Sequence, residues 1–133
     1  MLHVINTKKS PTPLGPYVQA IDIGNITFVS GQIGIRPDTN VIPDNVYDQT
    51  YQSLENIKNI IEAADLQINN IIKTTLFIID INDVPIINAS YIKFFHSSSS
   101  YEDTILPTRS CIEVSKLPKN AKIEIEAIAA RIL

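Results

Sequence analysis

The sequence IIKTTLFIID at residues 71–80 decides the fold. It is rich in β-branched residues, and apolar side chains occur at both odd and even positions of the run. Because successive side chains of a strand point to opposite sides, this pattern is typical of a strand that is covered on both faces. We therefore expect residues 71–80 to form a central strand of a sheet.

Segments with helical periodicity lie on both sides of this strand. Residues 46–64 carry apolar side chains at spacings of three and four, which puts them on one stripe of a helix. Asp44 is the predicted N-cap. Asp65 is predicted to end the helix, because Asp tolerates the left-handed backbone conformation that often follows a helix. Residues 84–95 predict a second helix, whose apolar stripe consists of Ile87, Tyr91 and Phe94/Phe95.

The remaining β-rich runs complete the order of elements. Two of them meet at Gly24-Asn25, and a pair of this kind between strands indicates a hairpin. The predicted strands outside the central one cover residues 3–7, 17–23, 26–33, 108–115 and 122–132. The order is therefore β-β-β-α-β-α-β-β. It predicts one α+β domain over residues 1–133, with both helices on one face of a mostly antiparallel sheet.

The other face of this sheet raises a question of its own. Two helices in a single copy can cover only one face, yet the central and C-terminal strands carry apolar residues on both. An exposed apolar face of that size is an aggregation hazard or an interface. We therefore expect the second face to be buried by self-association.

Composition excludes several classes of protein. The chain has 133 residues, a net charge of −3 and 44% hydrophobic residues, which suits a packed core and argues against a strong nucleic-acid binder. No apolar run approaches the roughly 18 residues of a membrane-spanning helix. The first residues lack the features of a secretory signal, and the single cysteine, Cys111, cannot form an intramolecular disulfide. We expect a cytoplasmic protein, with an organelle interior as the alternative.

The last two strands carry charged side chains on one face each. Alternation puts Arg109 on the same face as Cys111, and Glu124 on the same face as Glu126. The short connection between these strands predicts antiparallel neighbours, which would bring Arg109 close to Glu124 or Glu126. One interpretation is a solvated face with cross-strand ion pairs. The other is a polar pocket at a subunit seam, where Arg grips a carboxylate and a carboxylate positions water.

Three smaller features remain open between a structural and a functional role. Pro16-Tyr17 lies at a loop-to-strand junction, which is also ordinary turn chemistry. Ser30-Gly31-Gln32 ends a strand, and a glycine there permits close approach of the backbone to a ligand. Cys111 is most simply a small core residue.

Taken together, these segments resemble the Rid family, the reactive intermediate deaminases, and specifically its RidA-like branch. The resemblance covers nearly the whole chain, and the ordered set of motifs is more specific than any one of them. The matching segments are Gly15-Pro16-Tyr17-Val18-Gln19-Ala20, Ser30-Gly31-Gln32, Ile72-Lys73-Thr74-Thr75, Pro107-Thr108-Arg109-Ser110-Cys111-Ile112-Glu113-Val114, Leu117-Pro118-Lys119 and Ile123-Glu124-Ile125-Glu126-Ala127.

The resemblance implies a chorismate-mutase-like sandwich, a homotrimer, and ligand clefts between subunits. It implies an enzyme that hydrolyses 2-imino acids or their enamine tautomers, such as 2-aminoacrylate/2-iminopropanoate and 2-iminobutanoate, to 2-keto acids and ammonia. Such intermediates leave pyridoxal-phosphate dehydratases that act on serine or threonine. The family uses no metal and no organic cofactor.

The resemblance also implies roles for individual residues. Arg109 matches the clamp for the substrate carboxylate, and Glu124 matches the acid that holds or activates the attacking water. The remaining pocket positions are matched by Tyr17, Ser30 and Asn88, with Gly31 and Cys111 at places where main-chain atoms approach the ligand. Two departures concern the pocket strand: Thr108 replaces the usual Ala, and the segment before residue 107 is longer than is common.

Two other functions compete with the deaminase. Relatives are also described as ribonucleases or translation inhibitors, although the net charge of −3 speaks against a surface that tracks phosphates. The apolar face would equally suit a chaperone-like or ligand-binding module without turnover.

Overall fold

The order of elements is the predicted one. The structure, a computed structural model, describes residues 1–97 and 105–131, so most of the longer segment before residue 107 lies outside the described residues. The strands are β1 (His3–Ile5), β2 (Ala20–Asp22), β3 (Ile26–Ile33), β4 (Ile71–Ile78), β5 (Thr108–Glu113) and β6 (Ile123–Ala130). The helices are α1 (Val46–Glu62) and α2 (Val84–His96).

The six strands form one sheet in the order β1-β2-β3-β6-β4-β5. All neighbouring pairs are antiparallel except β4 and β5, which are parallel. The prediction that β5 and β6 are neighbours is therefore wrong, because β4 lies between them. The physical reason is the crossover through α2, which returns β5 parallel to β4 at the edge of the sheet and leaves the inner position to β6.

Both helices pack on one face of the sheet, as predicted. The core between the two layers contains fully buried side chains from α1, β4 and β6, among them Ile57, Leu76 and Ile125. Phe94 and Phe95 of α2 add an aromatic cluster that packs edge to face. This layer holds β4 and β6 rigidly, and it fixes which side chains of β4, β5 and β6 face the helices.

The ends of α1 follow simple capping chemistry with a small shift at each end. Asn45, not Asp44, is the N-cap, because its Oδ1 accepts a hydrogen bond from the backbone N–H of Asp48 at 2.8 Å. The Asn45 side chain also donates to the Asp48 carboxylate. The helix ends at Glu62 with Ala63 as its C-cap, two residues before the predicted end. Asp65 adopts the predicted left-handed conformation in the turn that follows, with a φ of 60°.

The face of the sheet opposite the helices is called the open face here. β4 is covered only on its helix side, so the expectation of cover on both faces is not met within one chain. Ile21, Phe28 and Ile128 form one apolar row across the open face, and Phe77 and Ile112 form a second. Phe28 is 47% exposed and Ile112 is 46% exposed. In residues 1–97 and 105–131, no helix is long and apolar enough to cross a membrane.

Candidate active site

Arg109 lies on the edge strand β5 and points to the helix side of the sheet. Its Nη2 donates a hydrogen bond to the Asn88 side-chain oxygen on α2 at 2.7 Å. Its guanidinium carbon lies 5.0 Å from the centre of the Tyr91 ring, which is cation–π distance. Arg109 is half-buried, so the guanidinium is held from two sides while part of it remains accessible.

Tyr91 is itself fixed in the core beneath this arginine. Its hydroxyl shares a 2.7 Å hydrogen bond with the Thr74 hydroxyl of β4, and both residues are buried. Burial raises the pKa of Tyr91, which keeps the phenol neutral. Sequence reasoning assigned Tyr91 only to the apolar stripe of the second helix. The signal that could have found it is the spacing of three from Asn88, which puts both residues on one helix face.

Cys111 lies two residues beyond Arg109 on the same face of β5. It is half-buried against the edge of the core. Burial raises the pKa of the Cys111 thiol, although the positive charge of Arg109 opposes the shift. The side chain is therefore a neutral thiol near pH 7, which suits a packing residue better than a nucleophile. Arg109, Asn88, Tyr91 and Cys111 are called the edge cluster below.

Glu124 lies on the open face of β6, next to an irregularity in β3. The β3–β6 register shifts between Val29 and Gln32, so β3 carries one extra residue beside β6. A Cβ atom on Gly31 would lie 2.7 Å from Oε2 of Glu124 and 2.9 Å from its Cδ. The absence of a side chain at position 31 therefore leaves the room that the Glu124 carboxylate occupies. Bulges of this kind commonly re-aim side chains at functional sites.

The Glu124 carboxylate has a perturbed protonation equilibrium. Burial raises the pKa of Glu124, and the negative charge of Glu126, two residues further along the same face, raises it further. Both effects disfavour the charged carboxylate and make Glu124 a better proton acceptor than an ordinary surface Glu. Glu126 itself is exposed.

Tyr17 and Ser30 complete the open-face group. Together with Glu126 they line a depression of about 430 Å³, whose floor includes Phe28 and Ile128. The Tyr17 hydroxyl accepts a hydrogen bond from the Leu14 backbone N–H at 3.0 Å, so its own proton is available for donation. The Ser30 hydroxyl donates to the Val18 carbonyl at 2.6 Å. Tyr17, Ser30, Gly31, Glu124 and Glu126 are called the open-face cluster below.

The two clusters lie on opposite faces of the sheet in one chain. Arg109 is paired across β4 with Thr74 and then with Ala127, which is buried under the helices. Glu124 is paired with Phe77 and then Ile112 on the open face. The prediction that Arg109 lies close to Glu124 or Glu126 is therefore wrong within one chain. Both the intervening strand and the alternation of side chains separate them.

The fold is that of an α+β protein, and the predicted site residues are divided between two surfaces of its sheet. A family model described as Endoribonuclease L-PSP matches residues 7–131. The chain belongs to this family, which is the Rid family of the resemblance.

Named relatives match along almost the whole chain. A 2-iminobutanoate/2-iminopropanoate deaminase of Escherichia coli (strain K12) is 47% identical over 131 residues, which cover 98% of this chain and 99% of that protein. A RutC family protein of Pasteurella multocida is 48% identical over 131 residues, which also cover 98% of this chain and 99% of that protein. Among solved structures, Escherichia coli TdcF with bound serine superposes with a TM-score of 0.92 at 48% identity, covering 98% of this chain and 99% of that one. The predicted fold class is confirmed.

Proposed function

We propose that this protein is an imine deaminase that hydrolyses small 2-imino acids, or their enamine tautomers, to 2-keto acids and ammonia. The observation that carries the proposal is the presence of both halves of the chemistry in the structure. Arg109 is a constrained cation suited to a carboxylate. Glu124 is a half-buried carboxylate with a raised pKa, on the same face as the depression that Tyr17, Ser30 and Glu126 line. The name of the Escherichia coli relative supports the same substrate class.

Arg109 would bind the substrate carboxylate. A guanidinium presents several N–H donors in a planar fork, and only one of them is used in the bond to Asn88. The serine bound to TdcF also carries a carboxylate, which agrees with an anion site in a protein of this fold. We assign Asn88 to the same pocket because it orients the guanidinium directly. Cys111 would line this pocket with its backbone rather than act through its thiol.

Glu124 would activate the water molecule. As the water oxygen bonds to the imine carbon, Glu124 accepts a proton from the water and transfers it to the nitrogen. Glu124 then takes the proton of the new hydroxyl group as the carbon–nitrogen bond of the protonated amine breaks, so that the keto group forms and ammonia leaves. A protonated imine is already electrophilic, so the positioning of water and substrate supplies most of the acceleration. Tyr17 and Ser30 would hold the substrate, and Gly31 keeps the space for the carboxylate open.

A complete site requires a second copy of the chain. Because Arg109 and Glu124 are on opposite faces of one sheet, a single small substrate cannot contact both within one subunit. We propose a homotrimer in which the open-face cluster of one subunit meets the edge cluster of the next. Such a head-to-tail contact closes into a ring of three equivalent sites. It would also cover the exposed apolar rows that include Phe28 and Ile112.

The substrate chemistry indicates which reaction supplies it. A pyridoxal-phosphate dehydratase that removes water from serine or threonine releases an enamine that tautomerises to a 2-imino acid. We therefore propose a functional link to such dehydratases, without a metal or organic cofactor in this protein. Both proteins would act in the cytoplasm, where Cys111 stays reduced.

The ribonuclease hypothesis has support in the description of the family model and in the names of some similar solved structures, which include the word endoribonuclease. The open face presents Glu124 and Glu126, and two acidic side chains there disfavour a phosphate backbone. No observation on the described residues favours the chaperone-like module over the deaminase. Both therefore stay predictions from the sequence.

The proposal is tested with a threonine dehydratase that generates the imine, and with semicarbazide that traps it. Added protein should reduce the yield of the semicarbazone, because imine is hydrolysed before it is trapped. Arg109→Ala should lose at least about 100-fold of this effect, since an ionic hydrogen-bonded clamp contributes several kcal/mol to transition-state binding.

Arg36→Ala is the matched control, because Arg36 is an exposed arginine in a loop outside both clusters. Arg36→Ala should reduce the yield of the semicarbazone as much as the wild type does. Imine decay that is unchanged by the wild-type protein, or full activity in Arg109→Ala, would contradict the proposed function.

A further inference from the structure

Tyr91 has a place in the structure that the proposed chemistry does not by itself explain. It lies on the buried side of α2, yet its ring centre is 5.0 Å from the guanidinium carbon of Arg109. We propose that Tyr91 is the positioning residue for Arg109, a proposal that rests on the proposed function. Its ring holds the guanidinium at the angle needed for the substrate carboxylate, and Thr74 fixes the ring.

The Arg109 side chain must be restrained if it is to present a fixed cation. An arginine at a sheet edge has several rotatable bonds, and it loses rotamer entropy when it is held still. The Asn88 oxygen restrains only one nitrogen of Arg109. The face of the Tyr91 ring, over which the guanidinium carbon lies, supplies the second restraint. A hydrogen bond to one nitrogen leaves the guanidinium free to turn about that bond. The hydrogen bond and the ring face together define the orientation of the guanidinium.

The Tyr91 ring is itself held in place by its surroundings. Tyr91 is only 4% exposed, and its hydroxyl bonds to Thr74, which is completely buried. The ring also packs against Phe95, with ring centres 4.7 Å apart. Phe94 and Phe95 occupy similar core positions on the same helix, but they carry no hydroxyl. The polar anchor to β4 therefore occurs at the aromatic side chain that faces Arg109.

The register of β4 and β5 brings the anchor of Tyr91 next to Arg109. Thr74 and Arg109 are directly paired in the parallel register of these strands. The Thr74–Tyr91 bond therefore ties α2 to the sheet at the position where Arg109 leaves it. The three side chains move as one unit, so a substrate carboxylate meets a preorganised cation.

The experiment compares variants that keep or remove the aromatic face. Tyr91→Leu and Tyr91→Met both remove it, and Met is included because its flexible side chain fills irregular core space if Leu folds poorly. Loss of a partly buried cation–π contact of about 1–2 kcal/mol predicts a rise in KM of about 5- to 30-fold. The kcat should fall much less. Tyr91→Phe keeps the ring and should raise KM by less than about threefold, because only the anchor to Thr74 is lost.

Tyr51→Leu is the matched control for a general loss of packing. Tyr51 lies on α1 and contacts Phe94 edge to face, so its removal damages the same aromatic cluster away from Arg109. It should lower the melting temperature as Tyr91→Leu does, but leave KM unchanged. A further readout is the Kd for 2-oxobutanoate, measured by calorimetry. This Kd should weaken in parallel with KM in Tyr91→Leu and Tyr91→Met, and not in Tyr51→Leu.

The outcomes separate this proposal from the proposed function. If the wild type hydrolyses imine but folded Tyr91→Met keeps its KM and its Kd for 2-oxobutanoate, the role of Tyr91 is contradicted and the deaminase stands. If the wild type does not accelerate imine decay, the deaminase itself is contradicted. If Tyr51→Leu raises KM as much as Tyr91→Leu, the effect is general packing and the positioning role is overturned.

Discussion

At the scale of single residues, the open face of β6 carries two carboxylates side by side. Glu124 is half-buried, Glu126 is exposed, and Lys73 of β4 lines a small depression beside Glu126. Burial and the charge of Glu126 both raise the pKa of Glu124. If Glu124 is the base, activity needs its ionised form, and kcat/KM must fall as the pH drops through this raised pKa.

The charge of Glu126 provides a direct test of this assignment. Glu126→Gln removes a negative neighbour, so the pKa of Glu124 decreases and the acidic limb of the kcat/KM profile moves to lower pH. Glu62→Gln, an exposed carboxylate on α1, is the control and should leave the limb in place. Glu124→Gln should abolish the limb together with most of the activity. A limb that moves to higher pH in Glu126→Gln would be incompatible with Glu124 as the base.

At the scale of elements, the irregularity in β3 connects local backbone geometry to the reacting groups. Gly31 lies in the extra-residue segment between Val29 and Gln32, and a Cβ there would come within 2.7 Å of the Glu124 carboxylate. Gly31→Ala should therefore displace the carboxylate by a few tenths of an ångström or more. A shift of that kind is expected to reduce kcat/KM by roughly 10- to 100-fold, with little loss of stability because a side-chain end can rotate away.

Gly24→Ala should have the opposite effect to Gly31→Ala, namely a loss of stability with unchanged activity. Gly24 has a φ of 108° in the β2–β3 turn, and an added Cβ would meet no atom within 4 Å. Its substitution should cost on the order of 1 kcal/mol of unfolding free energy through backbone strain and leave kcat/KM unchanged. Urea unfolding and imine-decay kinetics on both variants check the contrast. Wild-type kinetics in Gly31→Ala would mean that the position of the Glu124 carboxylate is unimportant.

The ends of α1 show which features of a helix could be predicted from its local sequence. The helix α1 was predictable because its apolar stripe has a clear period. Its end was not, because α1 stops at Glu62 with Ala63 as C-cap, and Asp65 adopts its left-handed conformation only in the turn that follows. The N-cap is Asn45 and not the predicted Asp44, because the cap is the residue whose side chain reaches the Asp48 N–H. Two adjacent residues with equal capping propensity cannot be ranked without that geometry.

At the scale of the whole molecule, the separation of Arg109 from Glu124 predicts an assembly with shared sites. Light scattering should give three times the chain mass of 14.8 kDa. Neither Arg109→Ala nor Glu124→Gln should be active alone. If the two variants are mixed, reversibly dissociated and reassembled, some sites receive Arg109 from one variant and Glu124 from the other. Random mixing in a ring of three restores about one quarter of the sites.

This complementation distinguishes a shared site from a site within one chain. Reassembly of each variant by itself is the control, and it should restore nothing. A monomeric mass, or a mixed preparation that stays as inactive as its components, would contradict the composite site. The measurement also separates trimer formation from catalysis, because a trimer with sites inside each subunit would give the expected mass without complementation.

The sequence by itself determined the elements and the chemistry available to them. Period-2 and period-3.6 patterns specify β-β-β-α-β-α-β-β, because the burial of one face is a local requirement that each segment records in its own residues. The ordered motifs also identified Arg109, Glu124 and their companions as the residues of interest. These inferences need no knowledge of which strands are neighbours.

Only the tertiary structure decided how those residues are grouped. Alternation along β5 and β6 predicts which side chains share a face within each strand, but it contains no information on strand order. The insertion of β6 between β3 and β4 depends on non-local pairing, and it puts Arg109 against α2 and Glu124 beside Gly31. Tyr91 gained its contact with Arg109 in the same way. Physically, register and strand order arise from contacts between distant segments, so they become visible only when the whole sheet is assembled.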